Sequence, residues 1–291
     1  MDGNTITLQD GWNWISYRPQ DEMAVDEALK NLVATTHDVI KGKAGFAMYN
    51  GAAWIGSLEK MMPGAGYMVQ SQGVKSFNYP ATGPVSQNYL RMALLSDDEA
   101  TDIPSSFEFD LHKYESNMAV VARLYEAESL VENPSSYLIA AFVDGECRGV
   151  SVEKNGYMFL TIHGDVENER VSFLVYNKLA GTYSEIKETV LFNKGVAGTF
   201  ENPQNLVICA TGIEAIEGNV CMVCTDKQVR LYGNLSMVTH LTITDMSGVQ
   251  QQVYGSIPDN GVIDASGLAA GMYVVSAYTT NGIIQQKFVR R

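Results

Sequence analysis

Short apolar runs of alternating pattern, each closed by a turn-forming dipeptide, constrain this chain more than any other feature. Asp10-Gly11, Asn50-Gly51, Pro63-Gly64, Asp144-Gly145, Ser247-Gly248 and Asn281-Gly282 each place a glycine behind a residue suited to the turn. The runs between such signals are rich in Val, Ile, Thr, Tyr and Phe and have strand length. In "ERVSFLVYNK", Val171, Phe173 and Val175 alternate with Ser172, Leu174 and Tyr176, so one face of the strand is wholly apolar. "SSYLIAAFVDGECRGVSV" and "HLTITDMSGVQQQVY" both read as hairpins. The expected fold is therefore mainly β. A hydrophobic content of 46% against 18% charged residues suits a packed protein and argues against disorder.

A length of 291 residues accommodates two or three domains, and the patterns divide the chain into three modules. Residues 1–84 read as a small α+β domain. Its one helix is expected in "DEMAVDEALKNLVA", where Val25, Leu29, Leu32 and Val33 fall at helical spacing behind Asp21 as N-cap. The linker-like "YPATGPVSQ" (79–87) ends it. Residues 85–205 read as an acidic β-sandwich, since many short strands with regular turn signals indicate that architecture. Residues 206–291 read as a compact antiparallel β-sandwich of Ig-like type.

Charge and motif content exclude several functions. The net charge is −13, and residues 86–205 carry most of it, with 19 acidic against 9 basic residues. Nucleic acid, which is bound by lysine and arginine displacing counterions, is not an expected partner. No apolar run is long enough for a transmembrane helix. "MDGNTITLQDGWNW" has neither a basic nor an apolar leader region, which fits either a cytoplasmic chain or a mature or excised fragment whose export signal is upstream or removed. Cys147, Cys209, Cys221 and Cys224 include a C-x-x-C at 221–224, but it sits in a strand-and-turn pattern and lacks the further ligands of a zinc site. These read as buried or incidental thiols. His37, His112, His163 and His240 are scattered over the three modules with no nucleophile elbow. The carboxylate groups Asp144/Glu146 and Asp165/Glu167/Glu169 sit beside Arg148 and Arg170 and read as loop and hairpin charges. "SDDEATD" (96–102) and "DVENE" (165–169) offer hard oxygen ligands without the EF-hand pattern. In "PGAGY", Gly64 and Gly66 read as positions that permit positive φ rather than as a phosphate loop. No enzyme activity, metal or cofactor is expected.

Two resemblances bear on destination. "LTITDMSGVQQQV…IDASGLAAGMYVVSAYTTNGIIQQKFVRR" resembles the C-terminal sorting domain of Bacteroidetes surface and secreted proteins. Asp245 and Gly248, then Leu268, Gly271, Tyr273 and Val275, then Gly282 and Lys287 follow that family's pattern in order. The family commonly opens with a "Y-P-N-P"-like stretch, where this chain has "VCTDKQ" (223–228). The resemblance implies type IX secretion across the outer membrane, with the secretion machinery as partner of the last module. "GWNWIS", "DVIKGKAGFAMY" and "WIGSLEKMMPGAGYMVQS" resemble a module that recurs in large Bacteroidetes surface proteins, and "YESNMAVVA…AAFVDGECRGV…MFLTIHGD" resembles the domain that often follows it. These imply an extracellular or cell-surface setting and bring no catalytic residues.

The tryptophans are the candidate ligand contacts. Trp12 and Trp14 stand two apart on a strand, so both indoles share a face, and Trp54 lies in the same module. A small domain needs bulky residues for its core, and the expectation is that Trp12 and Trp14 pack towards the helix carrying Leu29 and Leu32. The competing reading is a platform on which sugar rings stack. The functional expectation is a non-catalytic secreted or cell-surface protein of binding or adhesion type, with a glycan or an envelope protein as partner. The alternatives are a carbohydrate-binding accessory module of a surface glycan system, and a structural stalk or targeting fragment.

Overall fold

A computed structural model describes residues 5–81, 103–126, 128–208, 213–214, 220–224, 227–233, 235–258, 261–280 and 282–290. The linker-like stretch from residue 82 and the acidic loop 96–102 lie outside the described residues, as does Cys209. Strands account for 54% and helices for 5% of the described residues, which makes the fold mainly β, and most strand pairs among them are antiparallel.

The first sheet has the order Gly11–Ser16, Gly66–Ser71, Val39–Lys41, Phe46–Tyr49, Trp54–Gly56. Alternation gives it two buried faces. Ile15, Ile40, Ala47, Trp54 and Val69 point into a cluster with Val25, Leu29 and Leu32. Val39, Phe46 and Met48, with half-buried Trp12 against them, point the other way. There they meet Ala119, Val121 and Phe159 of the following strands, and the Phe46 and Phe159 rings lie 5.6 Å apart.

The expected helix is a single turn, Val25–Ala28, with Ala24 rather than Asp21 at its N-cap and no side-chain cap bond. Nucleating a helix is costly, and here tertiary contacts end it early. Asp26 accepts a hydrogen bond from the Trp54 backbone at 2.8 Å, and Leu29 and Leu32 reach the core through successive turns. Val33, expected on the apolar stripe, is 83% exposed.

Asp38 is fully buried and ties three segments together. Its carboxylate accepts the backbone N–H groups of Thr35 and Gln72, each at 2.8 Å, and pairs with the largely buried Lys75 ammonium. A buried charge is tolerated when it is paired and its remaining lone pairs are filled.

In the second sheet, Asn117–Glu126 pairs antiparallel with Tyr157–His163 and parallel with Val196–Ala197 and Gln204–Ile208. Met118, Val120, Ala122 and Leu124 enter the main cluster of this region, while Ala119 and Val121 face the first sheet. Val171, Phe173 and Val175 join the main cluster as their alternation requires, and Leu174 enters a second cluster with Phe142, Tyr183 and Tyr232. Beyond it, Gln250–Tyr254, Val238–Asp245, Gly271–Thr279 and Gly282–Arg290 form a four-stranded sheet. It shares one apolar cluster with the three-stranded sheet Val220–Cys224, Gln228–Gly233, Val262–Asp264. Tyr232 leaves that pair of sheets to pack on Phe142 at 4.8 Å and donates to Glu185 at 3.1 Å.

Removing one member of a buried ion pair strands the other. Asp38→Ala should therefore lower the unfolding free energy by about 3–5 kcal/mol in denaturant titration. A loss under about 1 kcal/mol, the range of an exposed pair, would show that Asp38 does not organise these segments.

Candidate functional site

The seam between the first sheet and Asn117–Glu126 carries the most organised set of polar groups near an exposed aromatic. It is built from Gly11–Ser16, the 41–43 turn and the 193–195 loop. The Lys41 ammonium is buried and donates to the carbonyl oxygens of Asn117 at 2.9 Å and Lys194 at 2.6 Å. It lies 4.7 Å from the centre of the Trp12 ring, a cation–π contact that gains from desolvation. In return, the Asn117 amide donates to the Gly42 carbonyl at 2.9 Å. Lys43 reaches across to the Tyr114 carbonyl. Burial lowers the Lys41 ammonium from the usual 10.5 to about 8, so it keeps its proton at neutral pH.

Beside this seam lies a cleft of about 320 Å³ lined by Trp14, Met68, Lys41, Lys43, Glu115 and Lys194, among others. Met68 is the direct cross-strand partner of Trp14. The Trp14 indole is 77% exposed. The two indoles thus share a face, but it is the face away from Leu29 and Leu32. Ile15 takes the core side of that strand, in the cluster that holds Leu29 and Leu32. Trp54 is buried in that cluster and packs on Tyr49 at 5.5 Å, out of reach of a ligand. Of the three candidates, only Trp14 presents most of its ring to solvent.

A second constellation surrounds Arg148, which sequence reasoning treats only as a neighbour of loop carboxylates. The register between Tyr137–Val143 and Glu146–Lys154 shifts so that Ala141 opposes Gly149 and Phe142 opposes Cys147. Arg148 is the extra residue of this β-bulge, and a bulge re-aims its side chain. Gly149 is the legible signal: a Cβ there would lie 2.1 Å from the Thr161 carbonyl oxygen. The guanidinium stacks over Tyr114 at 4.0 Å, and its Nε lies 3.3 Å from Glu146 without hydrogen-bond alignment. Glu146 also accepts from Lys113 at 2.6 Å and Tyr114 at 2.8 Å. Burial works to raise the Glu146 carboxyl, but those hydrogen bonds and the Arg148 charge outweigh it and hold it below the usual range.

His163 is buried near this group and stacks on Phe109 at 5.7 Å. Neither ring nitrogen has a hydrogen-bond partner among the described residues. Among the described residues no carboxylate is placed to orient it as a catalytic base. Asp165 accepts the backbone N–H groups of Glu115 and Ser116, so it serves a turn. Among the described residues no group of three or more His, Cys, Asp or Glu side chains is placed to hold a metal ion. The Cys147 and Cys224 thiols are free, and burial pushes both up to about 12. In "PGAGY", Gly64 has φ +75°, whereas Gly66 opens a strand with ordinary backbone.

The positions of the sorting-type pattern hold turns and core. Asp245 accepts from the backbones of Ser247 and Val249 and from the Gln251 side chain, closing a turn in which Gly248 has φ +85°. The hydrogen bond from Ser247 leads in holding the Asp245 carboxyl below its usual range. Leu268 packs against the last cluster, and Gly271 opens a strand opposite Arg290. Tyr273 is buried, donates to the Ala269 carbonyl at 2.8 Å and stacks on Phe288. Lys287 is exposed.

The chain matches no known protein family and no curated protein. Among solved structures it is similar to a chain described as "Biofilm associated protein - BSP domain", at 13% identity and a TM-score of 0.24. That similarity covers 90% of this chain and 45% of the other, so the chain spans less than half of that protein. At this TM-score the likeness guides neither fold nor role. Among the described residues no helix is long and apolar enough to cross a membrane.

Burial, with the Lys43 charge adding to it, lowers the His163 ring from the usual 6.5 to about 4. The unfolded chain takes up a proton there below 6.5, and the folded chain does so only near 4. The stability this site contributes is thus complete above 6.5 and lost as pH falls through that window. Melting temperatures measured from pH 7 to 4 should fall less steeply for His163→Leu than for the unmodified chain, and equal slopes would contradict the burial of a neutral ring.

Proposed function

We propose that this chain is a non-catalytic secreted or cell-surface binding protein of adhesion type, with a saccharide ring as the group held at the Trp14 cleft. One observation carries this reading: Trp14 is 77% exposed at the rim of the cleft, in a domain that buries Trp54 and half-buries Trp12. Leaving a large ring in water forgoes about 1.5–3 kcal/mol of burial and keeps its face free for stacking. Its apolar surface and the convergent polar groups behind it form the usual composition of a ligand site.

The non-catalytic part of the reading is supported by what the acid–base candidates do instead. Glu146 is tied to Lys113 and Tyr114, Asp165 holds a turn, and His163 is enclosed without a carboxylate partner. The sorting-type pattern at Asp245, Gly248, Leu268, Gly271, Tyr273 and Lys287 supports delivery to the cell exterior by the type IX route.

Trp14→Ala is the direct test. Saccharide affinity, read by glycan array and calorimetry, should fall about tenfold or more, equivalent to ~1.4 kcal/mol. The melting temperature should stay close to that of the unmodified chain, because the ring is at the surface. Undiminished saccharide binding by the variant would remove Trp14 from the site.

A further inference from the structure

We propose that the saccharide held at the Trp14 cleft is anionic, carrying a carboxylate or sulfate group that meets the lysines behind the indole. This rests on the saccharide reading above and names its ligand class. In a chain of net charge −13, the cleft gathers Lys41, Lys43 and Lys194 around one exposed carboxylate, Glu115.

Three ammoniums converge on this cleft, and two of them are held by backbone carbonyls. Lys41 donates to the carbonyl oxygens of Asn117 and Lys194, and Lys43 donates to that of Tyr114. These acceptors are neutral. Among the described residues no carboxylate lies within ion-pair distance of any of the three; Lys178, Lys187, Lys227 and Lys287 are likewise without an ion pair there, but only Lys41, Lys43 and Lys194 line one cleft. The cleft therefore carries a net positive lining, three lysines against Glu115, and partial enclosure strengthens its field.

Lys194 is the residue placed to meet the ligand. Its backbone is left-handed, φ +55°, a conformation unfavourable for a residue with a Cβ. It is held there on both sides: Asn193 accepts from the Gly195 backbone at 2.9 Å, and the Gly195 carbonyl accepts from Ala119 at 2.9 Å. Its own carbonyl is the acceptor for Lys41, so the loop is fixed while its ammonium stays without a partner among the described residues. A sugar ring stacked on Trp14, with Met68 extending the apolar floor, would direct an acidic substituent at Lys194. Glu115, also in the cleft lining, would accept from ring hydroxyls.

Calorimetry of the full chain with oligogalacturonate, sulfated dextran and neutral dextran of matched length tests this. Oligogalacturonate or sulfated dextran should bind, neutral dextran should bind at least about tenfold more weakly, and whichever anion binds identifies the acidic group. Lys194→Gln should weaken the anionic ligand about fivefold and Lys194→Glu further, on the scale of a charge-assisted hydrogen bond. Trp14→Ala should abolish the same binding. Equal binding of neutral dextran, unaffected by Lys194→Gln, would overturn the anionic assignment and leave the saccharide reading standing. Anion binding undiminished in Trp14→Ala would be diffuse electrostatic attraction and would overturn the assignment. Failure of all three saccharides to bind would overturn both.

Discussion

The Lys41 ammonium holds the arrangement together. It is a charge taken out of water at the place where two sheets meet, and it is stable there because two carbonyl oxygens and the face of Trp12 replace its hydration. One carbonyl belongs to Asn117 at the start of a central strand and the other to Lys194 in the 193–195 loop. A single side chain thereby fixes three segments far apart in sequence. The reciprocal bond from Asn117 to Gly42 makes the contact directional. Hydrophobic burial of Val39, Phe46 and Met48 against Ala119, Val121 and Phe159 supplies attraction across the seam, and the polar bonds set the register.

Once that seam is set, the fate of the GWNWIS strand follows. Its inner face is committed to the cluster of the first sheet through Ile15, so its outer face must lie along the seam. Trp12, deeper in the seam, becomes a packing surface and a partner for Lys41. Trp14, two residues on, passes beyond the edge of the covering strands and remains in water beside the cleft. Two chemically identical residues at one spacing thus acquire different roles from a few ångströms of translation along the strand.

The β character, the hairpins and the shared face of the two indoles are legible in sequence, because each depends on local alternation and turn chemistry. Which face the indoles take is not legible, since it depends on how the first sheet docks against residues 119–159. The helix fails for a similar reason. The spacing of Val25, Leu29 and Leu32 marks positions that do reach the core, but Asp26 and the turns after Ala28 shorten the helix to one turn. Arg148 comes to notice only through its bulge, for which Gly149 is a faint signal. The lysines of the cleft are unreadable as a group: Lys41 and Lys43 lie some 150 residues from Lys194, and only the fold shows that their partners are neutral carbonyls.

Trp14 is an exposed indole at a cleft lined by Lys41, Lys43 and Lys194 against Glu115. Fluorescence quenching by iodide and by caesium measures this without a ligand. In a chain of net charge −13, long-range repulsion favours caesium. One emitting component should show the reverse: iodide quenches it more strongly, and the component disappears in Trp14→Phe. Stronger quenching by caesium, or iodide quenching that persists unchanged in Trp14→Phe, would contradict that placement of Trp14.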